Sequence, residues 1–99
     1  MTMETIPWES HKFLRTPEDV AAYLDAALEE GDPSFLSEAL GTVARSEGMT
    51  RIARDSGLSR EALYKSLSAG GNPELVTIVK VLRSLGLRLG VKPIDSDAA

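Results

Sequence analysis

Apolar positions in this chain recur mostly at helical spacing, and glycines and prolines divide them into blocks. The first block is Val20, Leu24, Ala27 and Leu28. Thr16 as N-cap, Pro17 at the first helical position and Glu18-Asp19 in the first turn mark its start, and Gly31 ends it. Asp32-Pro33 repeats the cap-plus-proline device and predicts a second helix with Leu36, Ala39, Leu40, Val43 and Ala44 inward, ended by Gly48. A short third helix is expected from Met49 to Ser56, with Ile52 and Ala53 inward. Ser59 then caps a fourth that runs to the region of Ser68, with Ala62, Leu63 and Leu67 inward. After the loop Ala69-Gly70-Gly71, Asn72-Pro73-Glu74 predicts the start of a fifth helix. Its face is Leu75, Ile78, Val79, Leu82 and Leu85, and Gly86 stops it.

The two ends depart from this period. Residues 1–15 show no helical pattern and contain Pro7, although Trp8, Phe13 and Leu14 are apolar, so an extended N-terminal segment is expected. At the other end Leu87, Leu89 and Val91 alternate with polar or small residues, the pattern of a short β-strand. A lone strand leaves its backbone unpaired. It needs its copy in a second subunit, the segment around Met3–Ile6, or the sheet edge of another protein. Residues 94–99 read as a frayed tail. The expected fold is therefore all-α: one five-helix domain over residues 16–93, with an extended N-terminal segment and a short C-terminal strand.

Ninety-nine residues suit a single domain that buries roughly two-thirds of the surface its unfolded chain exposes. With no cysteine there are no disulfides or thiolate metal sites, which fits a reducing compartment. One histidine, His11, is too few for a zinc site, and it reads as a surface residue; neither a metal nor a cofactor is expected. The N-terminus lacks the cationic and then apolar run of a signal peptide, and no segment is long enough to span a bilayer, so a cytoplasmic protein with no membrane partner is expected.

Charge changes the picture through its distribution. The net value of −4 argues against nucleic acid, yet residues 1–42 hold nine acids against two bases, while residues 43–70 hold five bases against three acids. The basic excess coincides with residues 49–68, where two short helices meet at a tight turn. Ala53 permits a close crossing, Gly57 supplies the turn, and Leu58, Leu63 and Leu67 anchor the second helix. The opposite face of that helix carries Arg60, Glu61, Tyr64, Lys65 and Ser68. This is the layout of a helix-turn-helix, whose second helix enters the DNA major groove. Arg and Lys suit guanine edges, Ser59 and Ser68 suit phosphate or base, and Tyr64 suits phosphate or a thymine methyl. Glu61 can accept from cytosine but repels phosphate. On pattern alone, an ordinary helical hairpin with a solvated face is about half as favoured.

The segments TPEDVAAYLDAALEEGDP (16–33), ALGTVARSEGMTRIARDSGLSREALYKSLS (39–68) and GNPELVTIVKVLRSLGLRL (71–89) resemble, in order, the addiction-module antidote family of HigA-like antitoxins with a Cro/cI-type helix-turn-helix. The resemblance covers most of the chain. It implies a non-enzymatic transcriptional autorepressor that binds and neutralises a RelE/HigB-like toxin, commonly a basic, ribosome-dependent mRNA endonuclease, and represses its own operon. Base-facing positions fall on Ser59, Arg60, Glu61, Tyr64 and Lys65. Many relatives place a phosphate-contacting Gln early in the first helix of the motif; here Met49-Thr50-Arg51 stands there, and Arg51 is the candidate for that role. The expected partners are double-stranded operator DNA, such a toxin, and a second copy in a homodimer.

Other residues weigh differently. Trp8 suits an anchor in a toxin groove and a cover for the protein's own core equally; with Phe13 and Leu14 it forms the candidate toxin contact. Val76 and Val81 lie off the main face of the fifth helix and are assigned, with Leu87, Leu89 and Val91, to a dimer contact. Glu29, Glu30 and Asp32 read as a solvated helix end rather than a metal or acid–base site, by about ten to one. No nucleophile–base pair supports catalysis. Two rival functions remain: a stand-alone or prophage-type regulator without a toxin, and a protein-interaction module without DNA binding, which the acidic balance favours.

Overall fold

The computed structural model describes residues 16–94, and among these the architecture is all-α, with five helices. They are α1 (Pro17–Glu29), α2 (Pro33–Glu47), α3 (Met49–Ser56), α4 (Arg60–Ser66) and α5 (Leu75–Ser84). The expectations for residues 1–15, Trp8, Phe13 and Leu14 included, and for residues 95–99 lie outside the described residues.

Local chemistry sets most boundaries. Thr16 Oγ1 accepts from the Asp19 amide at 3.1 Å while Asp19 Oδ2 accepts from the Thr16 amide at 3.3 Å, a reciprocal capping box ahead of α1. At α2, Asp32 Oδ1 accepts from the Ser34 amide at 3.0 Å and from its hydroxyl at 2.9 Å. These two donors, the backbone one foremost, hold the Asp32 carboxyl below its ordinary value. The joint between α3 and α4 depends on Gly57, whose φ of 78° lies in the left-handed region. There the amides of Gly57 and Leu58 both donate to the Ala53 carbonyl, at 2.9 and 3.2 Å.

The core is built from Val20 and Leu24 of α1, Leu40, Val43 and Ala44 of α2, Met49 and Ile52 of α3, Leu63 and Leu67 around α4, and Val81, Leu82 and Leu85 around α5. Helix α1 lies on α2, α3 packs against both α2 and α5, and α4 rests on α3 and α2. The approach of α4 to α2 is close enough that a Cβ on Gly41 would sit 2.0 Å from the Leu67 carbonyl oxygen. The 69–74 connection is equally tight: a Cβ on Gly71 would sit 2.1 Å from the Ser66 carbonyl oxygen, and Ser37 Oγ donates to the Gly71 carbonyl at 3.3 Å.

Three expectations are corrected. Helix α5 begins at Leu75 rather than at Asn72-Pro73, because Gly71 is pinned against α4 and the following residues bridge to the helix start. Its core-facing stripe is Ile78, Val81, Leu82 and Leu85, the i, i+3, i+4, i+7 set, with Ile78 half-buried at its edge. Val81 is therefore fully buried in the core and not available as a dimer contact, whereas Leu75, expected inside, is 66% exposed. The C-terminal strand is not seen among the described residues, since no partner strand lies beside residues 87–91. Instead the Leu87 amide donates to the Leu82 carbonyl at 2.8 Å, closing α5, and Leu87 packs on the core. The tail then follows α1, where Lys92 Nζ meets Asp25 Oδ2 at 3.2 Å.

Candidate nucleic-acid interface

Helix α4 is short, and its two faces differ sharply. Leu63 and the capping residue Leu67 are fully buried, which fixes the helix on α2 and α3 and turns the opposite side outward. Ser59 Oγ accepts from the Ala62 amide at 3.0 Å and fixes the start of the helix. Arg60, Glu61, Tyr64 and Lys65 are exposed, as is Ala62, which had been expected inside. Ser59, Glu61, Ala62, Tyr64 and Lys65 line one shallow surface depression.

Arg60 and Tyr64 are one helical turn apart, and the Arg60 Cζ lies over the Tyr64 ring, 5.6 Å from its centroid, at cation–π distance. Neither Arg60 nor Lys65 takes part in an ion pair among the described residues. The face thus presents two cations, one carboxylate and one phenol, with the cationic N–H groups open to an acceptor. Ser68 is half-buried, and its hydroxyl already donates to the Lys65 carbonyl at 3.0 Å, closing the end of α4.

Arg51 stands apart from this face. Its guanidinium meets Glu47 Oε1 at 2.6 Å, Asp55 Oδ2 at 3.4 Å and the Ser84 carbonyl at 3.4 Å, beside Thr16, Pro17, Val20 and Leu85. It ties α3 to α2 and to the end of α5. Met49, at the start of α3, is buried in the core. Of the residues expected at a dimer contact, Val76, Leu89 and Val91 are exposed, Leu87 is half-buried and Val81 is core.

Two features escaped the sequence reading. The Arg60–Tyr64 pair has a signal, the i, i+4 spacing of a cation and an aromatic on one helix. The second is an apolar groove of about 470 Å³ between α1, α2, α5 and the tail, lined by Leu24, Leu28, Leu36, Ile78, Leu82 and Leu87 among others. It has no local signal, because it arises only where four segments of the chain meet. Among the described residues no helix is long and apolar enough to cross a membrane, and no group of three or more His, Cys, Asp or Glu is placed to hold a metal ion.

The chain is 39% identical over 92 residues to a protein of Haemophilus influenzae that carries the name "Uncharacterized protein", covering 93% of this chain and 95% of that one. No solved structure matches. A model of the family described as "Probable addiction module antidote protein" matches residues 4–93, and the chain belongs to that family.

Proposed function

We propose that this protein is the antitoxin of a type II toxin–antitoxin module, a cytoplasmic, non-enzymatic protein that neutralises a RelE/HigB-like toxin and represses its own operon. The observation that carries the DNA half of this reading is α4 itself. It is a helix anchored by Leu63 and Leu67, joined to α3 through a left-handed glycine, with Arg60, Tyr64 and Lys65 outward and in no ion pair among the described residues. That is the arrangement a helix-turn-helix needs to place side chains against base edges. The proposed DNA contacts are Ser59, Arg60, Glu61, Tyr64 and Lys65, with Ser68 at the end of the helix. Arg51 is left out because its guanidinium is already held by two carboxylates and a carbonyl.

The proposed active species is a homodimer on a palindromic operator, with the two α4 helices separated by roughly 34–36 Å, one turn of B-DNA. The exposed apolar side chains Val76, Leu89 and Val91 support a dimer contact. The acidic balance of residues 1–42 suits encounter with a basic toxin, and Trp8, Phe13 and Leu14 are the proposed anchors. A net charge of −4 favours the rival reading, a pure interaction module, and the two differ in one measurement. In a gel-shift titration against DNA upstream of its own gene, the wild type should bind selectively and with salt-dependent affinity. Arg60→Ala combined with Lys65→Ala should weaken binding about a hundredfold while leaving the helical content and melting temperature intact. Equal binding by the double variant would remove α4 as the reading helix.

A further inference from the structure

Three arginines lie in α3 and α4, and their surroundings differ in kind. Arg51 donates to Glu47, to the Ser84 carbonyl and pairs with Asp55, and Arg54 Nε donates to Asp55 Oδ1 at 3.3 Å. The N–H groups of Arg60 meet no acceptor among the described residues. What holds Arg60 is the ring of Tyr64 at 5.6 Å from its Cζ.

That contact sets the cation over the face of the ring. It restrains the side chain without engaging a hydrogen-bond acceptor, so the guanidinium donors stay available to a ligand. A pre-restrained Arg loses less rotamer freedom on binding than a free one. An open pair of donors has two natural targets on DNA: a phosphate, or the N7 and O6 acceptors of guanine in the major groove. Glu61, exposed and next in sequence, disfavours the phosphate. With Arg60, Glu61 and Lys65 together, the face carries a net charge of only +1, too little to act as a backbone clamp.

We propose that Tyr64 is a positioning residue that presents Arg60 to a guanine, so that each half-site of the operator contains a guanine selected by this pair. The inference rests on the reading of α4 as a DNA-reading helix and adds to it the identity of a base and the way it is chosen. Adenine at that place would offer N7 as an acceptor but set its N6 amino donor against an Arg60 N–H. The aromatic ring is the working part of Tyr64, and its hydroxyl is not required.

The test starts from the tightest-binding duplex recovered by the full-length wild-type protein from a random-sequence pool. Binding is then measured with each guanine in turn replaced by adenine or by 7-deazaguanine, which lacks the N7 acceptor. At one guanine per half-site the wild type should lose about tenfold or more with either replacement. Arg60→Ala should abolish that discrimination. Tyr64→Leu should reduce it roughly two- to fivefold with the salt dependence of binding unchanged, and Tyr64→Phe should restore it. Tyr64 is 43% exposed, so neither substitution opens the core, and the melting temperature checks this. Undiminished discrimination in Tyr64→Leu, or failure of Tyr64→Phe to restore it, would overturn the positioning role. Discrimination surviving in Arg60→Ala would overturn the guanine assignment. A wild type that recovers no preferred duplex at all would overturn the DNA reading itself, a result distinct from the other two.

Discussion

Gly41→Ala sets helix propensity against packing, and the two predict opposite signs. Gly41 lies in the middle of α2 with ordinary helical backbone, so propensity alone makes alanine stabilising there by about 1 kcal/mol. The structure says otherwise. The added Cβ would lie 2.0 Å from the Leu67 carbonyl oxygen and 3.1 Å from its carbonyl carbon, backbone atoms at the end of α4. A normal contact requires α4 to move away by more than an ångström, loosening Leu63 and Leu67, which are fully buried. Overpacking of this kind costs about 3 kcal/mol, the upper end of its usual range, because neither side of the contact is a flexible side chain. Set against the gain in propensity, the net loss is about 2 kcal/mol, which for a domain of this size lowers the melting temperature by about 10 °C. Thermal and urea unfolding followed by circular dichroism measure it. Gly57→Ala is the comparison: at φ 78° with nothing within 4 Å of the new Cβ, it carries only backbone strain of about 1 kcal/mol. A Gly41→Ala protein more stable than wild type would refute the close approach of α2 and α4.

Further predictions follow from the same contacts. Leu63→Ala empties a fully buried position under the exposed face of α4 and should cost about 3 kcal/mol, read as a shift in urea midpoint with unchanged slope; a loss under 1 kcal/mol would place Leu63 outside the core. Arg51→Ala should leave the salt dependence of operator binding unchanged and lower the melting temperature by only a few degrees, since its ion pairs are substantially exposed; a flatter salt dependence would return Arg51 to the phosphate contacts. The Asp32 carboxyl has a lowered folded-state pKa, so its stabilisation is present above the unfolded value and lost as pH falls through the folded one. The melting-temperature gap between wild type and Asp32→Ala should therefore be full at neutral pH and narrow below pH 3.8, whereas a gap independent of pH would show that the charge plays no part.

What was legible in the sequence was the local chemistry. Thr16 with Asp19, Asp32 with Ser34, and Gly57 followed by Ser59 act within a few residues of themselves, and the helix ends they predict are the ones observed. What was not legible depends on distant partners. Helix α5 is apolar on most of its circumference, so its pattern did not say which stripe faces the core; α3 settles that in favour of Val81 over Leu75. The alternation of Leu87, Leu89 and Val91 is a strand pattern without a strand to pair with, and the tail follows α1 instead. Arg51 was assigned to phosphate although Glu47 and Asp55, four residues to either side, were legible as ion-pair partners; only the Ser84 carbonyl, 33 residues away, was not. At the candidate site the exposed face of α4 followed from the spacing of Leu63 and Leu67, while the placement of Arg60 over Tyr64 needed side-chain geometry.

Neutralisation of a toxin is the central property proposed for this chain. The direct measurement is growth of cells expressing the small protein encoded beside it, with and without this chain, scored together with co-purification of the pair. The account predicts that the neighbour alone arrests growth, that this chain restores it and co-purifies, and that Arg60→Ala with Lys65→Ala still rescues, because the DNA face is not the proposed toxin face. A neighbour that arrests growth but is neither bound nor relieved by this chain would contradict it.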